Sequence, residues 1–172
     1  MTGAPWRCTV TRPVTPEEPS VIIELTPIGY VRGGRALPED DAWGTVEARI
    51  ELEERFSPEA LTGLDAFSHL EVVYFFHRAD PARTEMRTRQ PRGNPAWPRV
   101  GIFAQRARDR PNGLGVSVCE ILGVSGRAVH VRALDAIDGT PVLDLKPVMR
   151  AFLPRGAVLE PPWAAELMSM YW

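Results

Sequence analysis

Residues 115–148 read GVSVCEILGVSGRAVHVRALDAIDGTPVLDLKPV, and three short β-rich runs follow one another within them, at 115–124, 128–137 and 141–148. Ser125-Gly126 and Asp138-Gly139 fall between the runs as turn signals. A fourth run of the same character, RVGIFAQRA, precedes them at 99–107. No long helical stripe and no repeat period interrupts the series. Many short strands joined by Gly and Pro turns predict a mainly β domain, a barrel or a sandwich.

The upstream half adds to the same pattern. VIIELTPIGYV (21–31) is β-rich, and WGTVEARIEL (43–52) alternates apolar and polar residues as a half-exposed strand does. SPEALTGL (57–64) has Ser57 as an N-cap, a proline in the first turn and Gly63 as a stop, which predicts one short helix. FSHLEVVYFFH (67–77) has the β-branched and aromatic density of a buried strand. Residues 78–98 hold five prolines and glycines among arginines and predict a long loop rather than an element. Residues 1–19, with four prolines, predict an irregular lead-in to a single domain over 20–172.

With 44% hydrophobic and 24% charged residues and a net charge of −2, the chain has the composition of a globular domain and is no overall polycation. Charge is nonetheless segregated. Residues 39–65 carry nine acidic groups against two arginines, whereas 78–110 carry nine arginines against three acids. A polyanion would feel the second segment far more than the average, although the two segments could also face each other. Cys8 and Cys119 are too few for a disulfide framework or a zinc site, so reduced thiols and a cytoplasmic location are expected, with no metal. No apolar run of membrane length is present.

The common catalytic and nucleotide-binding signatures are also missing: no GxGxxG between strand and helix, no P-loop lysine, no HExxH, no GxSxG. Any site must then be built from loops between strands. The densest candidate is DAIDGTPVLDLKP (135–147), where charged groups and stiff residues share one turn. Read locally, Asp138 is a turn residue, Asp144 and Lys146 are neighbours on one strand face, and His69 and His77 are strand-end histidines.

Four segments in order change that reading: IGYVR, GLDAFSHLEVVYFFH, GIFAQRARDRPNGLGVSV and LDAIDGTPVLDLKP. Over roughly residues 26–150 the chain resembles the TsaA-like (TrmO) family. The resemblance implies an S-adenosylmethionine-dependent methyltransferase on a small β-barrel of about six to seven short strands, with one short helix and a long arginine-rich loop. It implies a homodimer, and tRNA as partner, methylated at N6 of threonylcarbamoyladenosine at position 37. Cofactor contacts would fall on Arg32, Gly33, Ser68, His69, Arg106, Asp138, Gly139, Thr140 and Pro141. Asp138, His69, Arg110 and Asn112 would serve catalysis, with Asp138 or His69 as proton acceptor. Arg87, Arg89 and Arg110 would hold the substrate, since arginine pairs with phosphate and stacks on unpaired bases. Arg106, Arg110, Pro111 and Asn112 match the family's pattern, while residues 107–109 and Gly113 depart from it. Alternatives are a small-molecule or protein acceptor, and a module that binds the cofactor without catalysis.

Overall fold

Period-two burial builds the wall of the domain. The computed structural model describes residues 7–8 and 23–172. Its strands are β1 (Arg7–Cys8), β2 (Ile23–Glu24), β3 (Gly29–Arg32), β4 (Glu47–Leu52), β5 (His69–Phe75), β6 (Thr88–Arg89), β7 (Val100–Gly101), β8 (Leu114–Ser125), β9 (Ala128–Arg132) and β10 (Pro141–Pro147). Six of them close a barrel in the order β10-β3-β4-β9-β8-β5, with every neighbouring pair antiparallel. Closure removes the exposed edges that an open sheet of this size would present.

Along β5, Leu70, Val72 and Tyr74 point inward and are buried, whereas Glu71, Val73 and Phe75 face outward and are half-buried. The buried strand expected from the apolar density of FSHLEVVYFFH is therefore a one-faced barrel strand. The core gathers Val31, Ile50, Leu70, Val72, Val129, Val131 and Val142, all with no exposed surface. β-Branched side chains suit this pleated, tightly packed interior. Gly29 and Gly115 mark where the wall leaves no room for a side chain: a Cβ would lie 2.2 Å from the Glu51 carbonyl oxygen and 2.3 Å from the Tyr74 ring, respectively.

Three expectations need correction. Residues 99–107 do not supply a barrel strand; only Val100–Gly101 is extended, and the chain then enters a 3-10 turn at Ile102–Ala104. Ile102 is buried there, and the Gln105 side chain donates to the Arg89 and Val100 carbonyls at 3.1 Å each, so the backbone turns back on itself instead of joining the ladder. For the same reason residues 78–98 are not an open loop. β6 pairs with β7 and Pro91 is buried, so the excursion is itself folded. The expected helix is a 3-10 turn, Pro58–Leu61, capped by Ser57 as foreseen and followed by Gly63 in the left-handed region at φ +82°. Among the described residues the α-helix is elsewhere, at Pro162–Met168 (α1). Of the lead-in, Arg7–Cys8 pairs with β2; the rest of residues 1–19 lies outside the described residues.

Candidate active site

The Asp138-Gly139-Thr140-Pro141 turn leads directly into the start of β10. Four hydrogen bonds tie it to the end of β3 and the residues after it. Val31 N–H donates to the Thr140 carbonyl (2.9 Å), Gly139 N–H to the Val31 carbonyl (2.8 Å), Asp138 N–H to the Arg35 carbonyl (2.8 Å), and Gly33 N–H to Asp138 Oδ1 (2.8 Å). Gly139 adopts φ +78°, where a side chain would be strained, and Thr140 and Pro141 are buried. The concentration of charge and stiffness in this stretch thus has a structural reason. The turn is clamped to a second loop, and the exposed Asp138 carboxylate is held by it.

Beside the turn opens a cleft of about 290 Å³. Phe75, Phe76, Leu114 and Leu143 supply its apolar lining, Pro141 joins it to the turn, and Arg108, Arg110 and Asn112 bring polar groups to it. Arg110 also donates to the Gln105 carbonyl (3.2 Å), which ties the cleft to the folded excursion. His77 follows β5 at this same end. Its Nε2 lies 4.0 Å from where a Cβ on Gly139 would stand. Burial and the neighbouring Arg78 guanidinium hold its pKa below the ordinary 6.5, against a smaller upward pull from Asp138, so the ring is neutral near neutral pH. Local reading left His77 as a strand-end histidine. Its place after an apolar strand, one residue from an arginine, was the available signal.

Of the site residues expected from sequence, Gly33, Asp138, Gly139, Thr140, Pro141, Arg110 and Asn112 come together at this end, with Arg32 adjoining. The Arg32 guanidinium faces Glu51 (3.6 Å) and the Tyr30 ring (5.2 Å). Arg106 donates to the Val116 carbonyl and lies near enough to Asp135, behind the turn, to act on its charge. Ser68 and His69 are not brought to the turn. They bond each other (2.8 Å) at the opposite end of β5, roughly 20 Å away for a seven-residue strand. There Phe67 lines a separate hollow of about 340 Å³ with Phe56, Leu64 and Pro147. Arg87 is exposed, whereas Arg89 is drawn inward to Asp109.

A buried network behind the turn was not legible at all. Asp135 accepts hydrogen bonds from Tyr74 (2.8 Å), from Ser117 and, across 36 residues, from Tyr171. Burial raises the Asp135 pKa above its ordinary value, while the three hydroxyl and charge partners, Tyr171, Tyr74 and Arg106, pull it back in part. The same burial pushes the Cys119 thiol up to about 12, leaving it an inert core residue. The C-terminal segment is held further by Ala42 N–H to the Met170 carbonyl (2.8 Å) and Trp43 N–H to the Tyr171 carbonyl (2.7 Å). The acidic and arginine-rich segments do meet, through Arg92 and Asp41 at 2.7 Å, but only there by a carboxylate pair among the described residues. Among the described residues no group of His, Cys, Asp and Glu could hold a metal, and no helix is long and apolar enough to cross a membrane.

A closed antiparallel barrel with a loop-built cleft and a clamped Asp-Gly-Thr-Pro turn defines a small class of proteins, and comparison identifies it. The chain belongs to the TrmO family: residues 35–152 match the tRNA-methyltransferase O N-terminal domain. A tRNA (adenine(37)-N6)-methyltransferase of Homo sapiens is 31% identical over 143 residues, covering 78% of this chain and 32% of that protein. A "Probable S-adenosyl-L-methionine-binding protein" of Methanothermobacter thermautotrophicus is 36% identical over 129 residues, covering 73% of this chain and 89% of that one. The crystal structure of TrmO from Pseudomonas aeruginosa superposes with a TM-score of 0.67 at 28% identity, over 86% of this chain and 64% of that chain. The chain thus spans a third of the human relative's length and under two thirds of the TrmO chain.

Proposed function

We propose that the protein is an S-adenosylmethionine-dependent methyltransferase that methylates N6 of threonylcarbamoyladenosine at position 37 of tRNA. The observation that carries this reading is the clamped turn, with Asp138 fixed by Gly33, set beside an apolar cleft bordered by Arg108, Arg110 and Asn112. The cleft fits the cofactor on its own chemistry: aromatic and aliphatic side chains suit a purine, the Asp80 carboxylate in its lining suits hydroxyls or a cationic sulfonium, and the Asp138 carboxylate stands on the turn beside it. When bound, S-adenosylmethionine supplies a methyl group on a sulfonium, open to in-line displacement by nitrogen.

The residues of the chain then have three tasks. Asp138, Gly139 and Thr140 hold the cofactor in one orientation, and the clamped turn makes that hold preorganised. The apolar lining excludes water from the displacement. His77, neutral beside the turn, takes the proton that the nitrogen must lose. On this reading Asp138 serves the cofactor and His69 enters the site only from a second copy. A homodimer is supported by the outer face of β8, where Val116 and Val118 are 38% and 46% exposed next to β5. Light scattering at micromolar concentration tests it, and a monomer mass would contradict it.

His77→Ala is expected to lower kcat by about 10²–10⁴-fold with a much smaller change in cofactor affinity. Because the His77 pKa lies below 6.5, the acid limb of the wild-type kcat profile should have its midpoint below pH 6.5. A kcat–pH profile checks both, and a wild-type acid limb with its midpoint at or above pH 6.5 speaks against His77 as the acceptor. The function itself is tested by mass spectrometry of tRNA nucleosides from cells with and without the gene. Loss of the N6-methylated threonylcarbamoyladenosine is expected, and an unchanged nucleoside profile favours a different methyl acceptor.

A further inference from the structure

Asp109 lies between Arg108 and Arg110, on the segment that departs from the family pattern, and it is 6% exposed. Three guanidinium groups converge on its carboxylate, two from the folded excursion and one from the adjacent Arg108. Arg89 Nη1 donates to Oδ2 at 3.1 Å, Arg83 Nη2 stands 4.0 Å from the same oxygen, and Arg108 Nε stands 3.7 Å from Oδ1. The Asp109 carbonyl also accepts from Glu85 N–H at 3.0 Å, so the backbone is anchored as well.

The three arginines are not equivalent. Arg89 is largely inside, with its Nε buried and without a hydrogen-bond partner, so it is committed to Asp109. Arg83 and Arg108 are 65% and 43% exposed, and their distances from the carboxylate sit near the limit of an ion pair. Most of their donors face solvent. One carboxylate against three guanidiniums leaves the cluster cationic by two charges, which a purely structural ion pair would not. The cluster also borders the cleft, since Arg108 lines it together with Asp80, Pro81 and Thr84 around Arg83.

We propose that Asp109 is a positioning residue that fixes Arg83 and Arg108 beside the cleft as a clamp for the phosphates flanking the nucleotide to be methylated. Arg89 is the strut of this clamp rather than a gripping residue, and exposed Arg87 is left as an outlying phosphate contact. The inference rests on the tRNA reading above. Its sign separates it from simple charge attraction. Removing Asp109's negative charge raises the local positive charge by one, which alone would strengthen tRNA binding. Loss of positioning does the opposite.

The test uses the full chain and a fluorescent tRNA, with binding measured across a salt series and cofactor binding measured separately by calorimetry. Asp109→Asn is expected to bind tRNA about tenfold more weakly and with a shallower salt slope, while cofactor affinity falls less than threefold and Asp109→Glu restores part of the loss. Arg83→Ala with Arg108→Ala, both at exposed positions, should flatten the slope by about 1.4 to 1.8, the share of two phosphate contacts. Asp109→Asn binding tRNA as tightly as wild type, or tighter, overturns the proposal while leaving the tRNA reading intact. Should Asp109→Asn not fold, the arginine pair decides, and an unchanged slope there overturns it. A wild-type protein without salt-dependent tRNA affinity sinks the tRNA reading itself, and the clamp with it.

Discussion

Asp138→Ala should lower methyl transfer by about a hundredfold or more while the barrel stays folded. The carboxylate is exposed, and the bond it accepts from Gly33 N–H is the one that holds its oxygen in place across 105 residues of chain. Removing it costs only one exposed hydrogen bond, about 0.5–1.5 kcal/mol of stability. On the proposed reading the catalytic loss is larger, because the remaining backbone bonds keep the turn closed while the cofactor loses the fixed carboxylate beside its cleft. Displacements of about 1 Å in such a site cost roughly 10²-fold in rate. Steady-state kinetics with a melting curve check the pair of outcomes. Activity within twofold of wild type would remove Asp138 from the site.

The second large effect is on stability. Asp135→Ala should destabilise the fold by about 3–5 kcal/mol, because it strands the buried hydroxyls of Tyr74 and Ser117 and releases Tyr171. For a chain of this length that is a fall of roughly 10 °C in Tm. The sign of the pH dependence follows from the raised Asp135 pKa. A group whose folded pKa lies above its unfolded 3.8 contributes stability at low pH and loses that contribution as pH rises through the folded value. Relative to Asp135→Asn, wild type should therefore lose stability between about pH 4 and neutrality. Chemical denaturation of the two proteins across that range measures it, and parallel curves would show that Asp135 has an unshifted pKa.

The barrel was legible because its signals are local. Alternation along β4, the β-branched and aromatic density of β5, and the Ser125-Gly126 and Asp138-Gly139 turns each lie within one or two strands. The short α1 escaped notice because seven residues, opening on Pro162 behind Pro161, carry too little periodicity to stand out. Residues 99–107 misled because β-branched and aromatic density also marks a buried turn, as Ile102 is. The grouping of residues at the Asp138 turn was readable from motif order alone. What joins it to the fold was not: Gly33 to Asp138, Arg89 to Asp109 and Tyr171 to Asp135 are contacts across 105, 20 and 36 residues. The arginines of 78–110 illustrate the consequence. Their count announces a cationic surface, but Arg78, Arg89, Arg92 and Arg99 are engaged with Ala36, Asp109, Asp41 and Thr88. Fewer remain for a polyanion than the composition suggests.

The most direct measurement is transfer from S-adenosylmethionine labelled in its methyl group to two purified tRNAs, one carrying threonylcarbamoyladenosine at position 37 and one with unmodified adenosine there, each digested and analysed by nucleoside mass spectrometry. Labelled N6-methyl-threonylcarbamoyladenosine is expected from the first tRNA, little or no label in the second, and loss of the product with Asp138→Ala. Cofactor binding without label in either tRNA, or label at another position, would contradict it.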